Sequence, residues 1–125
     1  MRIHKDLAVW KQSIVLAAQV YRMTSTFPKQ EMYGLAQQMR RAAVSVASNI
    51  SEGAARGSKR EFVRYLHMAA GSLSELDTQL EISEAVGIGE TKLKQRVREK
   101  LYEVASLLGG LIRSQRQQVR NGVSS

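Results

Sequence analysis

Residues 40–80 read RRAAVSVASNISEGAARGSKREFVRYLHMAAGSLSELDTQL, and this stretch decides the fold. On either side of Arg56, Gly57 and Ser58, apolar residues recur at steps of three and four. Met39, Ala42, Val46, Ile50 and Gly53 precede the turn, and Phe62, Leu66, Ala69, Leu73, Leu76 and Leu80 follow it. That is the period of a helix burying one face. Ser58 with Glu61 three residues on is a capping box, which starts the later helix. The two segments are therefore a helical hairpin. Small and polar residues stand where a plain coiled coil would carry leucine.

The same period extends outward. Leu7, Trp10, Ile14, Ala17, Tyr21 and Thr24 outline a preceding helix that must end before Pro28, because the residue before proline is pushed out of helical geometry. Leu93, Val97, Leu101, Val104, Leu108 and Leu111 outline a last one. Gly87 fits a left-handed C-terminal cap, and Gly89 opens the turn after it. Short turns force neighbouring helices to run antiparallel. The expected fold is all-α, an antiparallel up-down-up-down four-helix bundle: one domain over residues 1–120 and a frayed polar tail over 121–125. Folding the hairpin about Arg56 sets Ala42 and Ala43 beside Ala69, Ala70 and Gly71. Gly71 is then expected to be kept for close packing. Gly109 and Gly110 would act likewise or mark a kink.

Composition bounds the rest. A chain of 125 residues with 43% apolar content can bury a real core. It has one proline and no cysteine, which removes disulfides and thiolate metal sites and agrees with a reducing cytoplasm. The longest apolar run, Ile14 to Ala18, is too short to span a bilayer. A soluble cytoplasmic protein with no membrane partner is expected.

The net charge is +8, which favours polyanionic partners. The bundle topology sorts it. One end gathers the first helix's start, the central turn and the last helix's end. Arg2, Lys5, Lys11, Arg56, Lys59, Arg60, Arg64, Arg113, Arg116 and Arg120 fall there, against Asp6, Glu52 and Glu61. Ten bases against three acids leave seven of the eight net charges at this end. The run Lys92 to Lys100 lies instead beside Glu75, Asp77, Glu81 and Glu84, and reads as a solvated, ion-paired face. Candidate nucleic-acid contacts are Arg56, Lys59, Arg60, Arg64, Arg113 and Arg116. They would meet phosphates and so be salt-sensitive. Aromatic residues near them are too few to support base stacking. The competing reading makes this charge a matter of solubility, with Arg64 balancing Glu61.

Arg41, Ser45, Ser48 and Glu52 form one stripe on the second helix, and Ser72, Glu75 and Gln79 form another on the third, continued by Ser83. These suit a contact between subunits, though an ordinary polar face has the same spacing. Asn49 falls on the apolar face and needs a hydrogen-bonding partner. Arg40 and Arg41 are expected to pair with Glu75 inside the chain. Catalytic chemistry has no visible basis. His4 and His67 lie on different helices without carboxylates at metal-ligand spacing. The serines lack an adjacent histidine base. GAARGS over residues 53–58 lacks Walker spacing and a preceding strand. No cofactor, metal or enzymatic activity is expected.

Several segments together carry a resemblance: Leu7-Ala8-Val9-Trp10-Lys11, Phe27-Pro28-Lys29, Tyr33-Gly34-Leu35, Gln38 to Ala43, Ser48-Asn49-Ile50-Ser51-Glu52-Gly53, Phe62, and Gly71 to Leu76. Over roughly residues 5–115 the chain resembles the four helix bundle protein family, first known as products of intervening sequences in bacterial 23S ribosomal RNA genes. The resemblance implies an up-down bundle, a cyclic homopentamer and no enzymatic activity. A related branch, the accessory variability determinant of diversity-generating retroelements, engages a reverse transcriptase and nucleic acid. Two functions from different classes follow as expectations. One is an oligomeric binder of RNA or DNA. The other is an adaptor docking on a nucleic-acid enzyme such as a reverse transcriptase.

Overall fold

The computed structural model describes residues 3–122. A 3₁₀ turn, Ile3–Asp6, leads into α1 (Ala8–Thr24), and a second, Lys29–Glu31, precedes α2 (Leu35–Ala55). Helices α3 (Lys59–Val86) and α4 (Thr91–Arg120) complete the chain. Local chemistry sets the ends. The Ser58 hydroxyl accepts the Glu61 backbone N–H at 3.1 Å, and Gly87 caps α3 at φ 72°, a conformation costly for any residue with a Cβ. The Glu90 carboxylate caps α4 by accepting the N–H groups of Lys92 and Leu93 at 2.9 and 3.3 Å.

Contacts across each seam run in opposite order along the two helices, so all four seams are antiparallel. Ser45 meets Ser72, while Gly53 meets Tyr65. Lys94 reaches Glu84, and Arg98 reaches Glu81. Arg40 bonds Thr24, whereas Trp10 and Ser51 share one groove. The Glu90 N–H donates to the Thr26 hydroxyl, and Lys100 donates to Gln12. The bundle closes as a square with α2 against α3 as its most extensive seam.

The core takes Leu16, Val20 and Met23 from α1, Met39, Val46 and Ile50 from α2, Leu66, Leu76 and Leu80 from α3, and Val97, Val104 and Leu108 from α4, all essentially fully buried. For α2, α3 and α4 this is the stripe expected from the sequence. In α1 it is not. Val9, Ser13, Leu16, Val20 and Met23 face the core, and the expected Ile14 and Tyr21 are 44% and 46% exposed. Helix α1 carries two apolar stripes, and the one with Leu16, Val20 and Met23 won the core. The other, with Trp10, Ile14 and Ala17, lines a 260 Å³ surface groove against Val44 and Ala47 of α2.

The glycines also correct the sequence reading. A Cβ on Gly71 would meet nothing within 4 Å, so close packing does not require glycine there. A Cβ on Gly53 would lie 2.6 Å from Tyr65 Cβ and 3.1 Å from Phe62 Cδ1. Gly53 is the close-approach residue of the hairpin. The expected register was short by about one helical turn: Ser45, not an earlier residue, stands level with Ser72. Helix α4 runs unbroken through Gly109 and Gly110, over which the Arg113 guanidinium lies.

Candidate nucleic-acid interface

The turn between α2 and α3 brings Arg56 within reach of Tyr65, one turn and a half into α3. The Arg56 guanidinium sits 4.9 Å from the Tyr65 ring centroid and donates to the Tyr65 hydroxyl. It also pairs with Glu52 at 3.3 Å. The Arg64 guanidinium lies 4.7 Å from the same ring and forks onto Glu61, donating at 3.2 and 3.1 Å. Guanidinium planes suit this combination of ring stacking and forked carboxylate binding. The hydrogen bond from Arg64, helped by the charges of Arg64 and Arg56, holds the Glu61 carboxyl below its ordinary value of 4.5. Glu61 is thus capped through its backbone by Ser58, while its carboxylate serves Arg64 and not the return bond of a capping box.

The network Glu52–Arg56–Tyr65–Arg64–Glu61 contains two cations and two anions. Of the six residues singled out for phosphate contact, Arg56 and Arg64 are therefore already balanced. Lys59, Arg60, Arg113 and Arg116 have no ion-pair partner among the described residues, and all but half-buried Lys59 are exposed. The fold does bring the two chain segments together: Gln115 of α4 lines the same 220 Å³ depression as Arg56, Ser58, Lys59 and Phe62. Arg2 lies outside the described residues.

On the α2–α3 seam the two polar stripes meet. The Ser45 and Ser72 hydroxyls are hydrogen-bonded at 2.8 Å, and Asn49 donates to the Ser45 carbonyl and hydroxyl at 2.9 and 3.0 Å. Asn49 finds its partner inside its own helix. Gln79 is buried within the chain, its Oε1 without a partner, 3.5 Å of separation joining its Nε2 to Glu75. Arg41, Ser48, Glu52 and Glu75 remain exposed. Beside this seam Met68, Ile82 and Val86 are 45%, 46% and 62% exposed, in line with Ser72 and Glu75 at helical spacing.

The expected pairing of Arg40 and Arg41 with Glu75 is not formed, and one residue of the expected solvated face is buried. Arg40 does not reach Glu75. It donates to the Thr24 hydroxyl at 2.8 Å and stacks on Tyr21 at 4.7 Å, binding α2 to the end of α1. Within the run Lys92 to Lys100, Arg98 pairs with Glu81 and Glu84 at 3.6 Å as expected, but Lys94 is not solvated. It is 5% exposed and 3.5 Å from Glu84, packed near Gly89. Its four-carbon stem is long enough to fill core space while its ammonium reaches a carboxylate.

Sequence reasoning missed Tyr65, whose role depends on a contact across the turn, and a cleft on the α1–α2 face. Tyr21, Met32, Tyr33, Gln37, Arg40, Arg41, Val44 and Ser45 line that cleft, of about 730 Å³. Among the described residues no three His, Asp or Glu side chains converge to hold a metal ion, and no helix is long and apolar enough to cross a membrane.

Over residues 5–110 the sequence matches the model of the family described as 23S rRNA-intervening sequence protein. A crystal structure described as a protein with unknown function from the S23 ribosomal protein family, from Bacteroides thetaiotaomicron VPI-5482, shares the fold with a TM-score of 0.76. It is 19% identical, and the match covers 84% of this chain and 95% of that one. At that identity the likeness concerns fold alone. No curated protein matches the chain.

Proposed function

The chain belongs to the 23S rRNA-intervening sequence protein family, and from that premise we propose that it is a non-enzymatic, self-associating bundle that binds RNA or DNA through phosphate contacts at its basic end. The observation that carries this reading is that Lys59 of α3 and Gln115 of α4 line one depression at the turn, and that Lys59 and the neighbouring Arg60, Arg113 and Arg116 have no carboxylate partner among the described residues. Unpaired surface cations are free to displace the counterions condensed on a nucleic acid, which drives such binding. Arg56 and Arg64, fixed on Tyr65, add oriented guanidinium groups at the rim.

Self-association is part of the same reading. Met68, Ile82 and Val86 leave apolar surface beside Glu75 on α3, and in a ring of five the basic ends would share one face and sum their fields. A monomeric mass by light scattering at micromolar concentration would remove that part.

The test of the basic end is a salt titration of duplex binding by fluorescence anisotropy. Replacing Lys59, Arg60, Arg113 and Arg116 together by Gln is expected to lower the log–log salt slope by about 3.6 per protomer engaged, at about 0.9 per phosphate contact. An unchanged slope refutes the site and leaves docking on an acidic surface of a nucleic-acid enzyme as the reading to pursue.

A further inference from the structure

We propose that the cleft between the end of α1 and the start of α2 is a second nucleic-acid site, specific for unpaired nucleotides: bases stack on Tyr33 and Tyr21 while phosphates meet Arg41. The inference rests on the nucleic-acid reading above and adds a site of different chemistry. Near the basic end aromatic residues are scarce, which argued against base stacking there. The fold supplies the missing combination elsewhere.

Tyr33 is 93% exposed, in the turn before α2. A large amphipathic ring so fully in water has no packing role to explain it. Tyr21 presents a second ring on α1, 46% exposed, with the Arg40 guanidinium on it. Arg40 is itself fixed by Thr24 and Ser25, which accept from it at 2.8 and 3.2 Å, so this part of the cleft is organised before any ligand arrives. Arg41 is exposed and has no ion-pair partner among the described residues, and Gln37 adds a side-chain amide able to donate and accept. The volume, about 730 Å³, lies within the range of small-ligand sites, about 300–1,000 Å³. Stacking rings with a nearby guanidinium are the parts that hold single strands, because every base offers a π face and every nucleotide a phosphate. A duplex keeps its bases stacked inside and cannot use the rings.

Arg41 and Arg56 are fifteen residues apart on α2 and its end, roughly 22 Å at about 1.5 Å per residue. A duplex held at the basic end could therefore extend an unpaired strand to the cleft. The ligand class singled out is a duplex with a single-stranded extension.

The experiment compares three labelled probes by anisotropy at fixed salt: a blunt duplex, the same duplex with a uridine or thymidine overhang, and the single strand alone, against the whole protein, Tyr33→Ala and Arg41→Gln. Both positions are exposed, and circular dichroism checks that the variants fold. The overhang is expected to tighten duplex binding, and Tyr33→Ala to weaken overhang and single-strand binding at least about fivefold, the low end for losing one stacked base. Blunt-duplex binding should not change. Equal affinity for blunt and overhang probes overturns the cleft while leaving the basic end intact, and no binding of any probe removes both. A fall in oligomer mass on Tyr33→Ala also overturns it, since the cleft would then be a subunit contact.

Discussion

Replacing Gly53 and Gly71 by alanine, one at a time, should change stability in opposite directions. Both sit inside helices with ordinary backbone geometry, so each substitution gains about 1 kcal/mol of helix propensity. At Gly71 nothing opposes that gain, because the new methyl meets no atom within 4 Å. At Gly53 the methyl would stand 2.6 Å from Tyr65 Cβ, about 1 Å inside the optimal carbon–carbon separation of roughly 3.5–4.0 Å. A Cβ is rigidly tied to its backbone, so the helices must move apart. Overpacking of this kind costs about 1–3 kcal/mol, and a contact this short belongs at the upper end. The net expectation is about 2 kcal/mol of destabilisation for Gly53→Ala and about 1 kcal/mol of stabilisation for Gly71→Ala, a gap of about 3 kcal/mol. Urea unfolding at one fixed protein concentration reads both, since self-association would otherwise shift the midpoint. With m near 2 kcal/mol/M, Gly53→Ala should lower the midpoint by about 1 M. Gly53→Ala as stable as the parent, or Gly71→Ala clearly less stable, would refute the assignment of the close approach to Gly53.

Two further outcomes test other contacts. Lys94→Met keeps the buried stem and removes the ammonium facing Glu84, so it should be neutral or stabilising by about 1 kcal/mol, whereas Lys94→Ala loses packing and should cost about 2 kcal/mol; equal losses in thermal melts would mean that the ion pair itself is needed. Arg64 lowers the Glu61 carboxyl in the folded state, so its contribution is present above the ordinary value of 4.5 and is lost as pH falls through the lowered folded value. Melting temperatures from pH 6 to 2.5 should decline less steeply below 4.5 in Glu61→Gln than in the parent; parallel curves would show that the pair contributes nothing.

What could be read from the sequence was what neighbours along the chain determine. Ser58, Gly87 and Pro28 act on backbone within a few residues, and the boundaries they imply are the ones observed. The three- and four-residue steps in α2, α3 and α4 each offer a single apolar stripe, leaving no choice of face. Helix α1 offers two. Which one faces inward depends on the other three helices, and periodicity taken alone selected Trp10, Ile14 and Tyr21. Gly53 and Gly71 look alike in the sequence and differ only in what stands opposite, which needs the register to within one turn. The basic end was legible as charge, and so was the balancing of Arg64 by Glu61, but the pairing of Arg56 with Glu52 beside a shared Tyr65 was not. Glu52 and Glu61 neutralise Arg56 and Arg64, whose guanidinium groups both lie against the Tyr65 ring. The cleft was hidden because Tyr21, Tyr33 and Arg41 are separated along the chain.

The array around Tyr65 makes the basic end a buffered surface. A phosphate arriving at Arg56 or Arg64 would displace Glu52 or Glu61, and the freed carboxylate would hold a cation in place of the one the phosphate gives up, so that contact is an exchange of anions and releases little salt. The thermodynamic charge seen by a titration is then smaller than the number of arginines touched. Affinity from these two residues should persist at ionic strengths that strip the contribution of Lys59, Arg60, Arg113 and Arg116.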